Sequence, residues 1–334
     1  MSELALAVFA AETGTHLIRP PFGARWAAHL RAFDRDAYEQ RLAAAGFRFL
    51  ARSAALFPPL LRAVHDPPAG LFVRGGGELD LLARPAVAVV GARACSGYGA
   101  AAARTLARDI AGAGLVVVSG LARGVDAEAH RGALEAGGTT VAVLGCGIDR
   151  DYPAAHAELA RRVAANGLIV SEYAPGVEPA PWRFPARNRI VAGLAAATVV
   201  VEARERSGAL ITADLALDEG REVFAVPGEI TSALSAGTNA LLKLGASPLT
   251  CAADVLSCFG IELPAADEAV LGEDAGVVLA QLRDGAASAD ELARSTGLPA
   301  AALARSLVEL ELAGRAVCAD GLYRTAGGDA RASG

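Results

Sequence analysis

Lysine is all but missing from this chain. The basic side chains number 31, and every one except Lys243 is arginine. Carboxylates outnumber them at 37, so the formal charge is −6 and the isoelectric point lies near 5.5. That balance excludes a histone-like attraction to polyanions over the whole surface, and any grip on a phosphate backbone must come from a local patch. The cysteines, Cys95, Cys146, Cys251, Cys258 and Cys318, are odd in number, scattered and without a CxxC pair. This argues against a disulfide frame or a zinc site and fits reduced thiols in a cytosol. No uninterrupted apolar run reaches membrane-spanning length, and the opening Met-Ser-Glu-Leu has no basic region ahead of an apolar one, so a soluble, cytoplasmic protein is expected. There is no GxxxxGK[ST] run to support P-loop chemistry. The stretch Gly91 to Gly99 fails the GxGxxG fingerprint because Arg93 stands where a second glycine would admit a pyrophosphate. No acid ends the second strand to hold a ribose, so nicotinamide and flavin enzymes are disfavoured. No cofactor and no metal are expected.

What is present is concentrated. No Asp or Glu occurs from Pro179 to Val201, and within that span Trp182, Arg183, Phe184, Arg187, Asn188 and Arg189 lie close together. Guanidinium groups interleaved with rings can hold a phosphate backbone while offering faces for bases to stack on. Trp182 and Phe184 are the candidate stacking rings, although Phe184 suits core packing equally well. Lys243, in Leu-Leu-Lys243-Leu-Gly, reads as a local demand for a slim ammonium group, with chance retention as the plain alternative.

With 334 residues, one large domain with smaller attachments is the natural expectation. Residues 1–66 read as a helical N-terminal domain, with Trp26, Leu30 and Phe33 spaced for one face and Tyr38 and Leu42 continuing it. The Pro58-Pro59 and Pro67-Pro68 pairs place a boundary near Asp66. Residues 67–262 carry valine-rich runs at 87–90, 115–118, 140–144, 168–170, 198–201 and 222–226, separated by segments long enough for helices. That alternation implies an α/β fold: a Rossmann-like, doubly wound, mostly parallel sheet with helices on both faces. Residues 263–275 read as a linker. Over 276–326, helices at 277–282, 288–295 and 300–312, then a hairpin around Asp320-Gly321, outline a winged-helix domain. Residues 327–334 read as a disordered tail.

In a parallel sheet the loops after the strands share one edge, where ligands of open α/β sheets bind. Gly91 and Arg93 come after the first candidate strand, and Ser207-Gly208 closes the loop after the fifth. Helices opening at Ser96-Gly97-Tyr98-Gly99 and at Ser207-Gly208 are expected to be phosphate seats, because free N–H groups at such starts receive anionic oxygens. The plain reading is that these glycines only turn the chain. Asp126 and His130 share a helix face, but a first-turn acid and a structural histidine explain them better than a metal does. Cys146 has no base near it in sequence and is read as a buried small residue. Glu172 and Glu202 are expected to orient arginines, Arg187 or Arg189, rather than to act as a catalytic pair.

Several long signatures recur in one order. They are Val-Val-Gly-Ala-Arg93, Ser-Gly-Leu-Ala-Arg-Gly-Val-Asp126-Ala-Glu-Ala-His130, Ala-Val-Leu-Gly-Cys-Gly-Ile-Asp149, Phe184-Pro-Ala-Arg-Asn-Arg-Ile190, Glu202 to Thr212, and Phe224-Ala-Val-Pro-Gly228. Together, over roughly Phe57 to Leu256, they closely resemble the DNA-processing protein A family, DprA or Smf. The resemblance implies a non-enzymatic protein that binds single-stranded DNA, dimerises through its Rossmann-like domain and loads the RecA recombinase in natural transformation. Carried over, it places Arg93, Arg187, Asn188, Ser207, Gly208 and Lys243 on the oligonucleotide; from the residues themselves, Gly91 and Gly208 are expected to allow its close approach, Arg183 to contact a phosphate, and Trp182 and Phe184 to offer stacking faces. The chain departs from the pattern at Ala92, where serine is usual, and at Tyr152-Pro-Ala-Ala-His156, where the family often reads YPxxN with a basic residue inside. One phosphate contact is expected to be missing there. The rival reading is a nucleotide phosphoribohydrolase with a similar core, whose PGGxGTxxE run is not found between Glu202 and Leu215.

Overall fold

The computed structural model describes residues 2–13, 23–262, 271–319 and 321–325. The chain divides into two compact units, Met1–Ile261 and Glu262–Gly334. The first opens with helices α1 (Glu3–Thr13), α2 (Ala24–Ala32) and α3 (Arg35–Ala44), then strand β1 (Phe47–Ala51), the short α4 (Pro59–Arg62) and β2 (Gly70–Arg74). Alternation begins with β3 (Ala86–Val90), α5 (Gly97–Gly112), β4 (Val116–Ser119), α6 (Val125–Glu135), β5 (Thr140–Val143), α7 (Ala157–Asn166) and β6 (Leu168–Ser171). It continues through α8 (Arg183–Leu194), β7 (Ala197–Val200), α9 (Gly208–Asp218), β8 (Glu222–Ala225), α10 (Ala236–Lys243), β9 (Ser247–Pro248) and α11 (Ala252–Leu256). All six valine-rich runs become strands within one residue of their expected ends. Their β-branched side chains suit a pleated surface buried on both sides.

Among the described residues the sheet runs β1-β2-β6-β5-β4-β3-β7-β8-β9, parallel from β6 to β9 and antiparallel at β1 and β2. Successive side chains face opposite sides. Val87 and Val89 thus join Leu106, Ile110 and Val255 beneath α5, α6 and α11, whereas Ala88 and Val90 join Ile190, Leu194, Ala213 and Leu61 beneath α8, α9 and α4. The chain winds one way from β3 to β6 and the other way from β7 to β9. The crevice at such a reversal, between the carboxyl ends of β3 and β7, is where this architecture holds ligands.

The N-terminal region differs from expectation. Residues 47–51 form a strand rather than part of a helix, paired with β2 through Phe47↔Arg74 to Ala51↔Gly70. Gly46, at φ 75°, turns the chain out of α3, and Phe49 then packs on Phe72 with ring centroids 4.9 Å apart. Because β1 lies before Asp66 and β2 after it, the sheet crosses the expected boundary, and both sides of it fall within the one compact unit Met1–Ile261. Nor do α2 and α3 form one continuous face: Asp34 caps α3 by accepting from the Ala37 N–H at 3.0 Å, and Leu30 is 41% exposed while Trp26 packs edge-on to Phe9.

The second unit contains α12 (Glu273–Asp284), β10 (Ala287–Ser288), α13 (Ala289–Thr296), α14 (Ala300–Leu312), β11 (Ala316–Ala319) and β12 (Leu322–Thr325), the three helices and wing of a winged-helix domain. Ser288 and Glu291 form a reciprocal capping box at the start of α13. Leu303, Leu307 and Leu310 make the expected core stripe, with Val278, Leu282 and Leu292 opposite. Most of the expected linker and the tail lie outside the described residues, as does Asp320. No helix among the described residues is long and apolar enough to cross a membrane. Leu310→Ala, at a fully buried position, should destabilise this unit by about 2–5 kcal/mol, read as an earlier urea transition for the winged helix while that of the larger unit stays in place.

Candidate nucleic-acid interface

At the switch point the chain leaves β3 through Gly91, which passes so close to its neighbours that a Cβ there would meet Val125 at 2.6 Å and the Glu202 carbonyl at 3.0 Å. Two helices start beside it, and they are used differently. At α5 the protein supplies its own anion. Glu202, only 3% exposed, accepts from the Ser96 N–H at 2.8 Å and the Ser96 hydroxyl at 2.5 Å, and it fills the space where a Gly99 Cβ would lie. The phosphate seat expected at Ser96 to Gly99 is therefore taken by a carboxylate. In consequence Glu202 orients a helix start and not an arginine. At α9, Ser207 accepts from the Ala209 N–H at 3.2 Å, and a Cβ on Gly208 would meet nothing within 4 Å.

The α9 start opens onto a cleft of about 320 Å³ lined by Gly91, Arg93, Asp126, Phe184, Arg187, Asn188, Arg204, Arg206, Ser207 and Gly208 among others. Seven of the ten residues expected from sequence thus converge: Gly91, Arg93, Phe184, Arg187, Asn188, Ser207 and Gly208. Four arginines face one carboxylate. Arg93, Arg204 and Arg206 are exposed. Arg204 carried no expectation from sequence, although it precedes Ser207 by only three residues in the same loop.

Arg187 differs from the other three. It is 4% exposed, donates from Nη1 to the Gly120 carbonyl at 2.8 Å and to the Val143 carbonyl, and donates from Nε to Asn188 Oδ1 at 3.2 Å. A Cβ on Gly120 would fall 2.4 Å from its guanidinium. Burial draws the Arg187 pKa below its ordinary value, while the Asp126 carboxyl, pushed up by burial, is held back by Arg187 and Arg93. Arg187 therefore ties β4 and β5 to α8 and supplies charge from below the cleft floor. Asn188 donates to the Gly208 carbonyl at 3.1 Å and fastens α8 to the start of α9.

Aromatic groups line the approach. Arg93 lies over the Phe184 ring at 5.1 Å, and Tyr152 stacks on Phe184 with centroids 5.3 Å apart. Phe184 is packed, as its core reading anticipated, and Tyr152 carries the more exposed ring. Trp182 is 44% exposed at the start of α8, with the Arg183 guanidinium 4.9 Å from its ring and 5.2 Å from that of Tyr173. Arg183 also donates to the Glu178 carbonyl, and neither Trp182 nor Arg183 lines the cleft. Lys243 is not brought to it either. Gly237, at the other end of α10, abuts the Ala203 and Arg204 carbonyls, so Lys243 sits about 9 Å farther along the helix axis.

The DNA recombination-mediator protein A family matches residues 48–260, and the DprA winged-helix domain matches residues 262–321. The chain belongs to the DprA/Smf family. It is 47% identical over 203 residues to DNA processing protein DprA of Streptococcus pneumoniae, covering 61% of this chain and 71% of that protein. It is 40% identical over 279 residues to protein Smf of Escherichia coli, covering 80% and 74%. The X-ray structure of the S. pneumoniae DprA superposes with a TM-score of 0.66 at 37% identity, over 78% of this chain and 93% of that one. A Helicobacter pylori DNA processing protein A, described for its single-stranded DNA binding mode, gives 0.57 at 32% identity, over 64% and 95%.

Other groups in this DprA family member serve the scaffold. His130 is fully buried and its Nδ1 lies 2.7 Å from the Thr140 hydroxyl, which itself donates to the Val117 carbonyl, so the ring is the donor. Burial, Arg187 and His156 lower its pKa to about 3. Among the described residues no cluster of His, Cys, Asp and Glu could hold a metal ion. The Cys146 thiol is pushed up to about 11 by burial. Glu172 pairs with Arg189 at 2.5 Å, and Arg189 also reaches Asp66 at 3.1 Å.

Gly120→Ala should cost about 1–3 kcal/mol by overpacking against Arg187, seen as a lower urea midpoint, whereas Gly208→Ala should leave that midpoint unchanged. His130 also sets a pH dependence. The unfolded ring takes a proton near its ordinary 6.5, while the folded ring does so only near 3. Its contribution is complete above pH 6.5 and is lost on acidification, by about 1.4 kcal/mol per pH unit. Denaturation between pH 6.5 and 5 should show this slope in the wild type and not in His130→Gln.

Proposed function

We propose that this chain binds single-stranded DNA in the switch-point cleft without hydrolysing it, and that a cytoplasmic homodimer of it presents the strand to the RecA recombinase. The observation that carries the DNA reading is the set of exposed arginines, Arg93, Arg204 and Arg206, around the open start of α9. Guanidinium groups and free N–H groups at a helix start both seek phosphate oxygens. The hollow, at about 320 Å³, has room for a nucleotide-sized group, and the exposed rings of Trp182 and Tyr152 supply stacking faces along its approach. The single-stranded DNA binding of the H. pylori relative supports the same ligand. The dimer, the recombinase and the part in natural transformation rest on family resemblance.

In this reading Arg93, Arg204 and Arg206 contact phosphates, the Gly208 N–H and the Ser207 hydroxyl donate to them, the Ser207 N–H being held by the Arg204 carbonyl at 3.1 Å, and Arg187 shapes the floor and adds its field. The phosphoribohydrolase alternative needs a free carboxylate at the base-sugar bond. Both Glu202 oxygens are engaged by Ser96, and Asp126, the carboxylate that lines the cleft, accepts from the Ala122 N–H and faces Arg187 and Arg93, which favours a binder. The winged helix takes an accessory role. On α14 the exposed residues are Ala300, Ala301, Ala304, Arg305, Val308 and Glu311 among the described ones, a poor face for a phosphate backbone, and Glu309 accepts from the Gly272 N–H at 2.7 Å.

Titrating the protein with labelled poly-dT should give an affinity that falls with salt at a log–log slope of about 0.7 per neutralised phosphate. Arg204→Ala should weaken binding about tenfold at low salt and reduce the slope by about 0.7. A flat salt response would refute the mechanism.

A further inference from the structure

The loop from Ser119 to Gly124 leaves β4, contributes Ala122 to the cleft and enters α6 just ahead of Asp126. One residue in it is strained. Leu121 has a φ of 57°, in the left-handed region that a non-glycine side chain seldom occupies, and its side chain is fully buried. Such a conformation persists only where the surroundings over-determine it. The Ser119 hydroxyl donates to the Val89 carbonyl at 2.7 Å, Arg187 donates to the Gly120 carbonyl at 2.8 Å, and the Ala122 N–H donates to Asp126 Oδ2 at 3.3 Å. Gly124, at φ 71°, is pressed against the Ala92 carbonyl, where a Cβ would come within 2.2 Å.

The carbonyl of the strained residue itself is met from elsewhere in the chain. Nδ1 of His156, in the turn before α7, lies 3.0 Å from the Leu121 oxygen. A carbonyl only accepts, so Nδ1 carries the proton. We infer that His156 is a positioning residue for the cleft: it holds Leu121 left-handed and thereby keeps the Gly120 carbonyl on Arg187 and the Ala122 N–H on Asp126. His156 stands where the family pattern has asparagine. An asparagine amide offers an N–H donor in the same place, so the change at position 156 itself preserves a donor aimed inward at the loop; the basic residue absent at Ala154 and Ala155 is a separate departure. Without that donor the Leu121 oxygen loses its partner, and rotating the peptide out of its strained state carries Gly120 and Ala122 away from Arg187 and Asp126.

This inference rests on the cleft being the DNA site, and the test separates the two. Poly-dT affinity is measured for the full-length wild type, His156→Asn, His156→Ala and Arg204→Ala, together with the ¹⁵N spectrum of the wild-type histidine rings. The alanine variant is expected to bind about tenfold more weakly and the asparagine variant within about twofold of wild type. The His156 ring is expected to carry its proton on Nδ1. If Arg204→Ala weakens binding while His156→Ala binds like wild type, or if asparagine fails as badly as alanine, the positioning role is overturned and the cleft stands. If Arg204→Ala has no effect, the cleft reading falls. A wild-type spectrum in which Nδ1 of His156 carries no proton, the neutral ring being protonated on Nε2 alone, overturns the positioning role whatever the variants do, including an alanine variant that does not fold.

Discussion

Arg187 brings a full positive charge into the interior at the point where β3 and β7 part, and much of the surrounding structure answers to that fact. A buried guanidinium is tolerable only if its donors are met and an opposite charge lies near. The carbonyls of Gly120 and Val143 end β4 and β5 against it, Asn188 accepts from its Nε, and Asp126 supplies the compensating charge. Gly120 has to lack a side chain because the guanidinium occupies that space. The loop after β4 consequently has little freedom, and its left-handed Leu121 is the local cost of bringing these groups together.

Around this buried charge the two helix starts of the crevice have opposite fates. Glu202 neutralises the start of α5 from inside, leaving its partial positive charge unavailable to a ligand. The start of α9 remains open beside Arg204 and Arg206. An acidic protein can thus present a cationic hollow, because Glu202 is turned inward onto Ser96, Asp126 is outnumbered by the arginines around it, and the loop after Glu202 turns its arginines outward. Other carboxylates lie in surface pairs such as Arg104 with Glu135, which contribute little to stability and do not compete for the cleft.

The strands of the central sheet were legible because a strand buried on both faces must be a short, almost wholly apolar run, and few other structures require Val-Val-Val-Ser. Strand β1 was not, since Phe-Arg-Phe-Leu-Ala comes directly after a helix and pairs antiparallel at an edge, where among the described residues one side of the strand has no neighbouring strand to impose a pattern. For the site, loops after parallel strands had to share an edge, and that brought Arg93, Arg187 and Ser207 together correctly. It said nothing of Lys243, which belongs to a helix running away from that edge, nor of Trp182 and Arg183, which sit just outside it.

The amino-acid sequence by itself determined the alternation of strand and helix, the winged-helix outline, the family signatures and the edge at which polar residues gather, because these depend on periodicity and on chain order. Only the tertiary structure decided which arginines face solvent and which is buried, which helix start is blocked by Glu202, and that His156 reaches the Leu121 carbonyl. Those outcomes depend on distances between residues remote in the chain, and no local pattern encodes whether a charged side chain will meet a carbonyl, a carboxylate or water.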